Sequence, residues 1–194
     1  MISPNYQFEE AANTILESPY GIHALIIYSD MSTLRKFWSF YAKKSIEEKN
    51  ELLFLAPFYE TVNSVRETLS KEGLLVDVSK YEKDKRSLII IDALEKYHDQ
   101  DDNIFDVRSL LKANEALVYY AEILKKNGVS VLGDLGAFFF KSQIQSLIDY
   151  EYSLSTEFDT NLKGICLYHT KDFDRLSSDQ KQKVTNYHKI AIRV

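Results

Sequence analysis

Short runs of almost wholly apolar residues alternate along the chain with longer amphipathic stretches. Apolar runs of this length, bounded by turn residues, are typical of strands covered on both faces, and their alternation with helical patterns predicts βα units. The pattern therefore predicts an α/β fold in which helices flank a mainly parallel central sheet on both faces, with an antiparallel C-terminal edge as an open alternative. The predicted strands cover residues 22–28, 51–56, 74–79, 87–92, 129–132, 163–169 and 188–194.

Between these strands, apolar residues recur at the helical spacing i, i+3, i+4 and i+7. The predicted helices cover residues 7–18, 31–49, 60–72, 106–126 and 137–152. A further helix begins at Ser177-x-x-Gln180, which has the capping-box pattern. The sequence contains no repeat and no linker-like segment, so we expect a single domain over residues 1–194, with residues 1–20 as an N-terminal helical extension.

Charge and hydropathy exclude several kinds of partner. The formal net charge is -5, and basic residues are interleaved with acids, so no concentrated basic surface is expected for a nucleic-acid backbone. The longest apolar runs are far shorter than the roughly 20 residues that span a bilayer. The first residues, MISPNYQFEEAANTIL, carry acids where a signal peptide needs a basic segment. We therefore expect a cytoplasmic protein with no nucleic-acid partner and no membrane association.

Acidic and phenolic side chains follow several of the predicted strands. In an open α/β sheet, ligands bind beyond the carboxyl ends of the strands, so position alone makes these side chains candidates for ligand binding. Asp92 follows the run SLIIID, the arrangement of a Walker B carboxylate that holds magnesium. Asp30 could instead cap the next helix, and Asp134 could serve a turn. The predicted ligand-binding residues are Tyr28, Asp30, Tyr59, Asp92 and Asp134.

A phosphate-binding loop is missing from the sequence. Such a loop needs glycines, so that backbone N–H groups can wrap the phosphates, and a lysine that reaches the terminal ones. After the first predicted strand, residues 29–35 read SDMSTLR, with no glycine. We therefore expect no ATP hydrolysis, no bound cofactor and no catalytic residues, since neither a GxSxG elbow nor an HExxH motif occurs either.

The single cysteine, Cys166, excludes an intramolecular disulfide and a zinc site built from cysteines alone. His23 begins the first predicted strand and His188 the last, so these two residues and Cys166 would converge on a metal if their strands were neighbours. The favoured alternative is that all three are buried or edge residues whose polar atoms bond to the backbone. No metal is predicted.

Several short motifs follow one another in the order that is typical of one family. They are His23-x-x-x-Ile27-Tyr28, Asn50-Glu51, the helix over residues 62–73, Asp149-Tyr150-Glu151, the strand over residues 164–168, and His188. In this order the chain resembles the MEDS family of prokaryotic sensory domains, named for methanogens, methylotrophs and the DcmR regulator. The resemblance implies a RecA/KaiC-like three-layer sandwich without a Walker A loop. The family-typical polar positions that carry over are His23, Tyr28, Glu51, Glu151, Cys166, Tyr168 and His188.

The resemblance also implies a function. Such domains are thought to sense small hydrocarbon derivatives, so we expect a stand-alone, non-enzymatic signal-transduction domain that binds a small organic molecule. Its output would pass to a signalling protein partner or through self-association. The alternatives are a degenerate RecA-like ATPase that acts as an interaction scaffold, and an enzyme that uses Asp92 with magnesium or a metal held by His23, Cys166 and His188.

Overall fold

In the computed structural model, which describes residues 2, 6–71, 73–101, 103–154 and 156–194, six strands form one sheet in the order β3-β2-β4-β5-β1-β6. Every neighbouring pair is parallel, including β1 with β6, so the antiparallel alternative for the C-terminal edge is not seen. The strands are β1 (His23–Tyr28), β2 (Leu52–Ala56), β3 (Leu88–Ile90), β4 (Val129–Asp134), β5 (Leu162–His169) and β6 (Ile190–Arg193).

Helices connect the strands and cover both faces of the sheet, as parallel crossovers require. They are α1 (Phe8–Leu16), α2 (Met31–Lys43), α3 (Val62–Lys71), α4 (Ala93–Tyr97), α5 (Val107–Ile123), α6 (Gly136–Phe140), α7 (Ile144–Ser153), α8 (Thr170–Phe173) and α9 (Ser178–Asn186). Two short π-helical segments, Lys44–Glu48 and Lys80–Asp84, precede β2 and β3. Among the described residues, no helix combines the length and the apolar character needed to cross a membrane.

Alternate side chains of each strand point to opposite faces of the sheet, and each face has its own apolar core. On one face, which we call the α2 face, Ala24 and Ile26 of β1 pack with α1, α2 and α3. On the other, the α7 face, Leu25 and Ile27 pack with the cluster built from α4 to α7 and α9. The near-continuous apolar strands of the sequence therefore reflect burial on both faces, as predicted.

The prediction of a strand at residues 74–79 is wrong. Leu74 and Leu75 are exposed, and residues 78–84 are helical. Asp77 explains the change, because its side chain accepts a hydrogen bond from the Lys80 backbone N–H and so starts a helical turn. Val76 and Val78 are buried, which satisfies the alternating pattern without strand pairing.

The prediction of one helix over residues 137–152 is also wrong in detail, because the segment contains both α6 and α7. The break lies at Ser142, whose φ of 57° is left-handed. The Ser142 and Gln143 backbone N–H groups bond back to the carbonyls of Phe139 and Phe138, which closes the end of α6. The helix at Ser177 begins with the predicted capping box.

Candidate functional site

Four metal-ligating side chains converge on the α7 face. His23 begins β1, Cys166 lies in β5, Glu151 is in α7, and His188 follows α9. β1 and β5 are neighbours, with His23 opposite Gly164, so His23 and Cys166 project from adjacent strands on the same face. One ligand atom from each residue lies within 4.8 Å of the other three, and all four residues are buried. We call these four residues the His–Cys–Glu cluster.

Glu151 lies at the centre of this cluster. Its Oε2 is 3.5 Å from His23 Nε2 and 3.3 Å from His188 Nε2, while the Tyr168 hydroxyl donates to Oε1 at 2.5 Å. Burial raises the pKa of the Glu151 carboxyl to about 8, although the hydrogen bonds from Tyr168 and Cys166 oppose that effect. Burial also holds the pKa of His188 well below its usual value, with a further contribution from His23. Five of the residues that the sequence resemblance singled out therefore meet in one buried polar network.

A second polar group lies at the carboxyl ends of the strands. The Tyr28 hydroxyl donates to Asp134 Oδ2 at 2.7 Å, and Asp134 Oδ1 accepts from the Gly136 N–H at 2.9 Å. Tyr59 donates to the carboxylate of Asp172 close by. Burial raises the pKa of Asp134 to about 7. Three of the five predicted ligand-binding residues, Tyr28, Tyr59 and Asp134, thus lie at one edge of the sheet.

The other two predicted ligand-binding residues serve as helix caps. The Asp30 side chain accepts from the Thr33 N–H and caps α2, while the Asp92 side chain accepts from the Leu94 N–H and caps α4. Asp92 follows the edge strand β3, which β2, β4 and β5 separate from β1. At roughly 4.8 Å a strand, it lies nearly 20 Å from the end of β1. The structure therefore does not bring Asp92 together with Tyr28. The carboxylate beside Tyr28 is that of Asp134.

Glu51 belongs to a different network, on the α2 face. Its Oε2 accepts from Ser130 Oγ at 2.6 Å, and its Oε1 is 3.1 Å from Lys163 Nζ. Lys163 also donates to the Leu16 carbonyl at 2.8 Å, and Tyr41 bonds to Ser130 at 2.8 Å. Glu51 and Lys163 are almost completely buried, so water does not solvate their charges and each charge is balanced by the other.

An apolar cavity of about 330 Å³ opens between the β2–β3 edge and the helices α4 and α5. Apolar side chains form most of its wall, and Glu95, Lys96 and Ser109 supply polar groups. The Lys96 amine lies over the ring of Phe54, 4.7 Å from its centroid, and over that of Tyr97. Burial lowers the pKa of Lys96 to about 8. The lining residues are Phe54, Ile91, Glu95, Lys96, Phe105, Ser109, Leu110, Ala113 and Leu117.

Sequence reasoning missed three of these residues. Lys163 carried a signal, since a lysine inside an otherwise apolar strand needs a buried partner. Asp172 and Lys96 carried none, because both lie in segments whose polar residues have the pattern of solvated helix faces. Their positions depend on how α8 and α4 pack on the sheet, which periodicity does not specify.

The all-parallel sheet, its two helical layers and the glycine-free turn after β1 define an α/β domain of the RecA/KaiC-like class. Among solved structures, the chain is similar to a KaiC-like protein from the hyperthermophilic archaeon Pyrococcus horikoshii, with a TM-score of 0.58 and 14% sequence identity over 90% of this chain and 71% of that one. The model of the methanogen/methylotroph, DcmR sensory domain (MEDS) matches residues 22–189. The chain belongs to the MEDS family, so the predicted family and fold are confirmed. A search of curated proteins gave no significant match.

Proposed function

We propose that this chain is a non-enzymatic sensory domain that binds a small, largely apolar organic molecule in the cavity between the β2–β3 edge and α4 and α5. Membership of a sensory family supports the role, and the cavity carries the site. Its volume of about 330 Å³ is at the lower end of the range typical of small-molecule pockets. Lys96, Glu95 and Ser109 would orient one polar group of the ligand, while the apolar wall would hold its body.

The wall of this cavity is connected to the centre of the sheet. The Lys96 side chain packs against β4, where its Cε would lie 3.7 Å from a Cβ atom at Gly133, and Tyr97, the next residue in α4, packs on Phe138 and Tyr150. A ligand that displaces Lys96 would therefore change contacts far from the cavity. To transmit a signal, the ligand must bind one conformation or assembly state better than another. Output would pass to a signalling partner or through self-association.

The turn after β1 supports binding without ATP hydrolysis. A phosphate loop would offer free backbone N–H groups at the start of α2, but the Thr33 N–H bonds to the Asp30 carboxylate at 2.9 Å. That carboxylate would also repel a phosphate. The Asp92 carboxylate, which would hold magnesium in the alternative enzyme hypothesis, is bonded to the Leu94 N–H at 2.7 Å.

A thermal-unfolding panel tests the proposal. The probes are short-chain alcohols, ketones, carboxylates and halogenated hydrocarbons, with Mg·ATP as a separate arm. A ligand at 100 times its Kd stabilises the folded chain by about 2.7 kcal/mol, which raises Tm by several degrees. Ala113→Phe enlarges a residue that lines the cavity and should abolish the shift, whereas Ala116→Phe, at a position of the same helix outside the lining, should preserve it.

The possible results separate the parts of the proposal. A panel in which no compound shifts Tm contradicts ligand sensing by the folded chain. If Ala113→Phe shows the same rise in Tm as the wild type, the ligand binds outside the cavity. Phosphate release from Mg·ATP that disappears in Asp134→Asn would show an enzyme instead.

A further inference from the structure

We propose that His23, Glu151, Cys166 and His188 bind one Zn²⁺-like divalent transition-metal ion through four protein ligands. The sequence resemblance singled out these four positions, but the ligand geometry is a property of this structure. The site lies apart from the cavity, on the part of the α7 face where β1, β5, α7 and the segment between α9 and β6 meet.

The backbone fixes the tautomer of both histidines. His23 Nδ1 is 2.9 Å from the Tyr187 carbonyl oxygen, and His188 Nδ1 is 2.7 Å from that of Val184. A carbonyl oxygen only accepts, so each Nδ1 carries the proton and each neutral ring keeps a lone pair on Nε2. A hydrogen bond from the second ring nitrogen to a carbonyl is the usual way in which proteins orient a metal-binding histidine.

The Nε2 atoms of both histidines border the same buried space, and the two rings lie against each other with centroids 3.8 Å apart. His188 Nε2 is buried and makes no hydrogen bond to any described residue, although Glu151 Oε2 is 3.3 Å away. His23 Nε2 is 3.3 Å from Cys166 Sγ and 3.5 Å from the same carboxylate oxygen. Two imidazole lone pairs, a carboxylate and a sulfur thus meet in a volume that excludes water, where a cation would bind all of them at once.

Four of the six distances between ligand atoms are close to those of tetrahedral coordination. Zinc bonds of about 2.0 Å to nitrogen and oxygen and about 2.3 Å to sulfur place neighbouring ligand atoms about 3.3 to 3.5 Å apart. Four of the six pairs are separated by 3.3, 3.3, 3.5 and 3.7 Å. The remaining two pairs, which join His188 to His23 and to Cys166, lie within 4.8 Å. The four close pairs need changes of a few tenths of an ångström at most, and the two remaining pairs need to close by up to about 1.5 Å.

The charge of the ligand set selects a divalent ion. Two neutral imidazoles, one thiolate and one carboxylate carry a charge of -2, so a divalent ion gives a neutral centre, which a buried position favours. Imidazole and thiolate ligands favour zinc and its neighbours over magnesium or calcium. Four protein ligands leave no open position, which is typical of a structural zinc site.

Metal content and cobalt spectroscopy test the site. The full-length chain, purified under reducing conditions, is titrated with Zn²⁺ and Co²⁺, both folded and during refolding, because the site is buried. We expect one equivalent per chain, tetrahedral Co²⁺ bands with a sulfur charge-transfer band, and a rise in Tm that a chelator reverses. Cys166→Ser should lose the charge-transfer band and weaken binding more than about 100-fold, beyond the loss typical of outer-shell partners.

Two further variants separate ligation from general destabilisation. Tyr168→Phe removes the hydrogen bond that orients Glu151 and should weaken metal binding by about 10- to 100-fold while keeping the cobalt spectrum. His98→Asn changes a buried histidine outside the cluster and should leave the stoichiometry at one. The proposal is overturned if neither the folded nor the refolded chain takes up a stoichiometric ion, since the cluster would then be a hydrogen-bonded network that shares protons. Equal loss of binding in His98→Asn would also overturn it.

Discussion

The Tyr28 hydroxyl donates a 2.7 Å hydrogen bond to Asp134 Oδ2 and thereby joins the carboxyl ends of β1 and β4 across β5, which lies between them. Both residues are fully buried. In the sequence they stand more than 100 positions apart, and each follows its own apolar strand. The bond places a carboxyl group where water does not reach it, and this has a consequence for stability.

Stability should fall with rising pH through Asp134. Its pKa in the folded chain, about 7, lies above the ordinary value of 3.8 because burial disfavours the charge, with a further contribution from Asp172. Between these values the folded chain holds a proton that the unfolded chain has lost, so the free energy of unfolding falls as pH rises from about 4 to about 7. Three pKa units correspond to a few kcal/mol at most.

The measurement is denaturant unfolding followed by the fluorescence of Trp38, the single and buried tryptophan. Asp134→Asn cannot ionise, so its stability relative to the wild type should increase between pH 4 and pH 8. Asp179→Asn, at an exposed position of α9, is the control and should not reproduce this increase. A flat difference for Asp134→Asn would show that the carboxyl is ionised throughout.

The cap of α2 gives a second prediction. Asp30→Ala removes the acceptor of the Thr33 N–H and should lower the free energy of unfolding by about 1 kcal/mol. Asp30→Asn keeps an acceptor and should stay close to the wild type, since asparagine caps as well as aspartate. Equal losses in the two variants would mean that the charge of Asp30, rather than its hydrogen bond, stabilises the helix start.

The outline of the fold could be predicted from the sequence because strands that are buried on both faces are almost wholly apolar, as in β1 and β2. The order of the strands in the sheet cannot be predicted from this apolar pattern. Asp92 and Asp134 both follow apolar strands, and only the sheet order shows that Asp134 lies near Tyr28 while Asp92 lies at the far edge. The strand prediction for residues 74–79 was wrong because of a local interaction. The hydrogen bond from the Lys80 N–H to the Asp77 side chain starts a helical turn there, despite the strand-like pattern.

The candidate sites were predictable to different degrees. The sequence predicts that His23, Cys166 and His188 converge only if their strands are neighbours. The sequence alone does not show whether they are. Glu151 comes from α7, so helix packing alone brings it to the cluster. The cavity beside Lys96 could not be predicted, because it is a gap between elements and no residue pattern encodes it.

The buried Lys163–Glu51 pair gives a third prediction. Lys163→Met leaves the Glu51 carboxylate buried without its cation, which should cost about 3 to 5 kcal/mol in the free energy of unfolding. Adding Glu51→Gln removes the stranded charge and should recover a large part of that loss. Lys183→Met breaks an exposed pair with Asp179 and should produce no measurable change. The idea fails if the double variant is no more stable than Lys163→Met alone.

The contact between Gly133 and Tyr97 gives the last prediction. A Cβ atom at Gly133 would clash with the Tyr97 hydroxyl oxygen, so in Gly133→Ala the buried Tyr97 side chain must shift, which should cost about 1 to 3 kcal/mol. Tyr97→Phe removes the clashing oxygen, and the double variant should therefore be more stable than Gly133→Ala. Denaturant unfolding of the four proteins in this cycle measures the coupling directly. Additive losses would show that α4 does not press on β4 through Tyr97, and the connection from the cavity to the sheet would then have to run through Lys96 alone.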